Sequence, residues 1–172
     1  MRINRPGGWA RAGVVVVLAL VAAGCGSDDN KETVTAEDYR FTGLPSTVEA
    51  GTTLTLTNAS KVEMHELVAF LLPDSETRSI DELIKLPEAD LERLFAGEPA
   101  TVLLAPPDGG EQIKAVGDGT LKVKGRYAIF CAIPTGADPA AYLAAAGSGD
   151  PPQVAGGPPH FTQGMYAQVT VT

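Results

Sequence analysis

His65, Cys131, His160 and Met165 are the residues of this 172-residue chain whose types and spacing can do chemistry. They supply two imidazoles, one thiolate and one thioether, a donor set that suits copper in a trigonal His₂Cys arrangement with a weak axial Met. The chain has only two histidines, and both fall beside strand-like segments. His65 opens the apolar stretch HELVAFLL and Cys131 ends GRYAIFC; His160 precedes Met165 by five residues in HFTQGM, directly before YAQVTVT. Each has an ordinary reading when taken singly. A cysteine is a small core hydrophobe, a methionine fills a core, and a histidine caps an element or lies on the surface. The inference rests on the coincidence of the four.

The elements that must position these residues read as short strands. Tyr39-Arg40-Phe41 alternates, Gly43-Leu44-Pro45 turns, and residues 46–49 form a short strand. TTLTLTN then places Leu54 and Leu56 on one face with threonines on the other, the period-two pattern of a half-buried strand. From His65 onward both faces are apolar, which predicts a central strand. Ser79 and Glu82 have capping-box spacing, Pro87 can begin a second helix, and Leu91, Leu94 and Phe95 recur at helical spacing before Gly97. Residues 80–96 are therefore expected to form two short helices packed outside a sheet. Turn-rich APPDGGEQIKAVGDG follows, then a hairpin-like pair over 120–124 and 125–131. In the last strand Met165, Ala167, Val169 and Val171 share a face. Many short strands with helical interruptions predict an all-β fold, a Greek-key β-sandwich with short helical insertions near 79–97 and 135–159.

The N-terminal residues bear on where such a domain works. Arg2, Arg5 and Arg11 precede AGVVVVLALVAA and then Gly24-Cys25. This apolar run is shorter than the roughly 20 residues of a spanning helix, so residues 1–24 read as a signal peptide. Ala22, Ala23 and Gly24 before Cys25 resemble the lipobox of bacterial lipoproteins, which implies that Cys25 is lipidated and becomes the new N-terminus. No Arg-Arg pair is present, favouring general secretion. Residues 25–35 are then a polar tether and 36–172 the folded domain, anchored to the membrane on the extracytoplasmic side. Loss of the three leader arginines lowers the basic count from 13 to 10 against 21 acidic residues, a balance that disfavours nucleic acid. Cys131 would be the one remaining cysteine. It has no partner for an intramolecular disulfide, which leaves metal ligation or deep burial to explain it.

A Gly-Thr-led strand ending in Asn58, a His opening the next strand, G-x-Y-x-x-x-C, and H-x4-M running into a terminal strand together resemble the cupredoxin, or blue copper, family. The resemblance covers roughly residues 39–172 apart from two insertions, and GRYAIFCAIP with PHFTQGMYAQVTV is its most specific part. It implies one type 1 copper, with His65, Cys131 and His160 as equatorial ligands and Met165 as the axial ligand. It further implies a one-electron carrier with a redox partner protein, and no enzyme activity; two histidines cannot also build the His-rich copper cluster of a multicopper oxidase. The alternative is a metal-free structural or interaction lipoprotein of the same fold. Two departures from the family stand out. Between Cys131 and His160 lie 28 residues, with a short helix capped by Asp138, begun by Pro139 and closed by Gly147. This excursion is expected to be extruded and removable, because closure entropy grows only logarithmically with loop length. Glu66 follows His65 where an Asn or Ser is usual, and a carboxylate there can orient an imidazole. Otherwise Glu63, Glu66, Glu88, Asp90 and Glu92 read as solvated charges.

Overall fold

The computed structural model describes residues 30–147 and 152–172. The first four strands are β1 (Lys31–Glu37), β2 (Arg40–Thr42), β3 (Thr47–Val48) and β4 (Thr52–Asn58). Then come β5 (His65–Leu71), the helices α1 (Ile80–Leu83) and α2 (Glu88–Leu94), β6 (Thr101–Ala105), β7 (Ile113–Val116), β8 (Thr120–Leu121) and β9 (Gly125–Phe130). Helix α3 (Pro139–Ala146), a 3₁₀ turn (His160–Gln163) and β10 (Tyr166–Val171) complete the order. One sheet runs β2-β1-β4-β8 and the other β3-β10-β9-β5-β6-β7. The fold is thus the expected all-β sandwich. Strands β5, β6 and β7 are antiparallel in sequence, and β9 returns antiparallel beside β5, which is the Greek-key order.

Alternation builds the layer between the sheets. Leu54 and Leu56 from β4 and Val34 and Ala36 from β1 meet Leu67, Ala69, Leu103, Tyr127, Ile129 and Val169 from the opposite sheet in one buried cluster. Strand β5 is central, flanked by β9 and β6. His65 begins it, paired with Ala105 of β6.

Three local expectations are corrected. The folded region begins before residue 36, because Lys31 to Ala36 pair in parallel with Thr53 to Asn58 and bury Val34 and Ala36. Residues 31–35 of the expected tether are therefore strand. Residues 120–131 do not form a hairpin: β8 pairs with β4 in one sheet while β9 lies in the other, so the chain crosses the sandwich between them. Strands β6 and β7 form where no alternation predicts them, β7 within the segment expected to be turn-rich. TVLLA is a continuous apolar run without alternation, and IKAV is a largely exposed edge strand.

Helices α1 and α2 pack outside the larger sheet as expected, with Ile80 and Leu83 against Leu72 and Ala128. Glu82 accepts the Ser79 N–H at 2.7 Å at the start of α1. Phe95 beyond α2 sits on Phe70 and Phe130, and Phe161 continues this aromatic group at 5.9 Å from Phe130. In the excursion, Asp138 caps α3 by accepting the Ala141 N–H at 2.7 Å. The helix is not extruded. Tyr142 is buried in the main core, and Ala137, Leu143, Ala146 and Val154 pack with it. Among the described residues no helix is long and apolar enough to cross a membrane. The expected signal peptide and Cys25 lie outside the described residues.

Candidate metal centre

The site lies where the first residue of β5, the residue after β9 and the turn before β10 converge. Asn58, the last residue of β4, organises the first of these. Its Nδ2 donates to the carbonyls of Glu63 and Ala105, each at 2.9 Å, and its Oδ1 accepts the Ser60 N–H at 2.8 Å. This ties the loop before His65 to the residue paired with His65. The other two sides are held by backbone. Cys131 N–H donates to Met165 O at 3.1 Å, Phe161 N–H to Cys131 O at 2.8 Å, and Met165 N–H to His160 O at 3.2 Å. Gly164 closes the 3₁₀ turn at φ +114°, a conformation that a side chain disfavours.

The 28-residue excursion is closed at its neck. Pro134 bridges Pro159, the Thr135 N–H donates to Pro158 O at 3.1 Å, and the Gly157 N–H donates to Thr135 O at 2.8 Å. Distance along the chain between Cys131 and His160 therefore does not become distance in space.

His65, Cys131 and His160 are brought together and are all fully buried. Their candidate ligand atoms lie within 4.8 Å of one another. The two Nδ1 atoms are 3.2 Å apart, and Cys131 Sγ is 3.3 Å from His160 Nδ1. These separations are shorter than twice a metal bond of about 2.0–2.3 Å, so one ion can reach neighbouring donors together. Two imidazole nitrogens facing each other at this distance need a proton or a cation between them, or their lone pairs repel. Met165, the fourth expected ligand, is also fully buried, and its backbone bonds to both Cys131 and His160.

Electrostatics at the site favour neutral groups while it holds no cation. Burial, with the neighbouring His160 ring, pushes His65 down to about 4. Burial also lowers His160, against the opposing pull of Glu63. Burial pushes the Cys131 thiol well up, and the charge of Glu66 adds to this. A thiolate here thus calls for a cation at the site. The Nε2 atoms of both histidines are buried without a hydrogen bond. His160 Nε2 lies 3.5 Å from Glu63 Oε2, at the outer limit of hydrogen-bond distance. Were Nδ1 to bind an ion, Nε2 would carry the proton and face that carboxylate, the carboxylate–histidine–metal relation of many metal sites.

Two acidic residues depart from their sequence reading. Glu66 is not solvated and does not orient an imidazole; its carboxylate accepts the Ala132 N–H and the Tyr142 O–H, each at 2.9 Å, in a buried pocket. Glu63 takes the place beside the imidazole, and also accepts the Gly136 N–H at 3.2 Å. Pattern reading missed Tyr39, whose ring packs edge-on against His160 at a centroid distance of 5.1 Å. Its φ of +62° is costly for a non-glycine residue, and such strain concentrates at functional sites. Asn58 stood in the sequence only as the end of its strand, with no sign of its bonds to Glu63 and Ala105, and nothing local distinguishes Tyr142 from other helix residues.

No protein-family model matches the chain, and no curated protein does. Among solved structures it is similar to a dithionite-reduced auracyanin from the photosynthetic bacterium Roseiflexus castenholzii, at 18% identity and TM-score 0.46, covering 83% of this chain and 97% of that one. It is also similar to auracyanin A, a "blue" copper protein of the green thermophilic photosynthetic bacterium Chloroflexus aurantiacus, at 19% identity and TM-score 0.41, covering 81% and 99% of the two chains. These overlaps are loose, and the case for a metal in this chain rests on its own donor atoms.

Proposed function

We propose that this chain is an exported, lipid-anchored copper protein that carries single electrons, with His65, Cys131 and His160 holding the metal and Met165 as a weak axial ligand. The observation that supports this most directly is the convergence of two Nδ1 atoms and one thiol sulfur in a fully buried pocket. Bound copper would supply a one-electron couple between Cu(I) and Cu(II), both of which Cys and His ligands suit. The chain's own part is to keep the donors in place and water out. Strands β5 and β9 and the backbone bonds between 131–133 and 160–165 hold the donors at close range, so little rearrangement would accompany a change of oxidation state. A soluble or membrane redox protein is the expected partner.

Copper(II) added to the purified metal-free protein is expected to produce an intense visible band from thiolate-to-copper charge transfer at one equivalent. A folded protein that stays colourless, or that takes up zinc alone, would sink the copper reading and leave a metal-free interaction protein. The anchor is a separate expectation, motivated by the leader pattern ending in Ala-Ala-Gly-Cys. Cys25→Ser should leave the protein unprocessed or released from the membrane fraction. Wild-type processing with firm membrane retention in that variant would exclude lipidation at Cys25.

A further inference from the structure

The excursion between Cys131 and His160 touches the site through two carboxylates that flank His65. Glu63 holds its first turn at Gly136, and Glu66 holds its helix at Tyr142. The Glu66 contact is the more informative, because Glu66 bonds on both sides of the thiol. Its backbone N–H donates to Cys131 Sγ at 3.4 Å, and its Oε1 accepts the N–H of Ala132 at 2.9 Å. Its Oε2 accepts the Tyr142 hydroxyl, also at 2.9 Å. A carboxylate buried in this way cannot turn without leaving a buried donor unmade. The Tyr142 ring would fill the same core space without its hydroxyl. The hydroxyl therefore adds one thing, a fixed orientation for Glu66.

We propose that Tyr142 is a positioning residue for Cys131: acting through Glu66, it fixes the Cys131–Ala132 peptide and holds the thiol in its metal-binding orientation before a metal arrives. The excursion helix is on this view a working part of the centre. The purpose of the device rests on the copper reading above; its geometry does not.

The experiment compares Tyr142→Phe, Glu66→Gln and Leu143→Ala in the full chain. Leu143 packs on the core from the same helix, so its truncation weakens helix docking and leaves the Glu66 bonds in place. Two quantities are read: the rate of Cys131 alkylation in the native metal-free protein, and copper(II) affinity by competition with a chelator. Tyr142→Phe is expected to speed alkylation and to weaken copper(II) binding by roughly 10–100-fold, the usual cost of losing a partner that orients a ligand. Glu66→Gln should move both in the same direction, because an amide offers one acceptor oxygen in place of two. Leu143→Ala should leave both near wild type wherever it is folded. A Tyr142→Phe protein indistinguishable from wild type, or a Leu143→Ala protein that matches it, overturns the proposal. If the wild-type protein binds no copper(II), the copper reading fails by itself. The alkylation rates then decide: Tyr142→Phe faster than Leu143→Ala supports the positioning role, and equal rates overturn it.

Discussion

Replacing Cys131 by serine should remove the visible band completely while leaving a folded domain. The thiol is fully buried and within 3.3 Å of His160 Nδ1, and serine is close to cysteine in shape. Burying the hydroxyl costs about 1–3 kcal/mol, which a domain of ordinary stability, about 5–15 kcal/mol, survives. The loss to the metal is larger than the loss to the fold. An oxygen cannot replace the soft thiolate that gives a His₂Cys copper centre its charge-transfer absorption, and affinity should fall by more than the roughly 10–100-fold that outer partners cost. Far-ultraviolet dichroism and thermal melting would establish that the variant is folded, and copper(II) titration would read the band. A Cys131→Ser protein with undiminished colour would mean that the sulfur is not a ligand.

Deleting residues 136–156 and joining the ends by a few residues should destabilise the domain severely, against what loop entropy alone predicts. Shortening a 28-residue loop about threefold recovers only about 1 kcal/mol, since each halving is worth about 0.6 kcal/mol. On the other side, Tyr142 leaves the core, where truncating a large buried aromatic costs about 3–5 kcal/mol. The Glu66 carboxylate also loses the hydrogen bond it accepts from the Tyr142 hydroxyl, of a kind worth about 1.5–3 kcal/mol where the acceptor is charged. The losses exceed the gain several-fold and approach the whole stability of a typical domain. Denaturant unfolding of the deletion variant checks this. A midpoint close to that of the full chain would show that α3 is dispensable.

These two cases mark what residue patterns can convey. The four candidate ligands stood out because His and Cys are scarce here and each of the four adjoins a strand-like segment: β5, β9 or β10. The capped ends of α3 were legible too, since Asp138-Pro139 and Gly147 act within one turn. What escaped depends on partners distant in sequence. KETVTAE becomes a strand because β4 lies beside it in parallel. Thr120-Leu121 joins the smaller sheet because Thr52 and Thr53 receive it. Glu66 looked like a solvated charge because its two donors arrive from residues 132 and 142. A carboxylate's burial is decided by what docks over it, and composition carries no trace of that.

The place of β10 has a consequence for when the centre can come into being. This strand inserts between β3 and β9, and the turn leading into it carries His160 and Met165. Strand β10 follows every other strand in the chain order, so β9 presents an open edge until β10 docks. Sheet closure and completion of the donor set are then one event. Before it, a captured ion would have only His65 and Cys131. If the site takes copper as proposed, loading would follow the docking of β10 against β9.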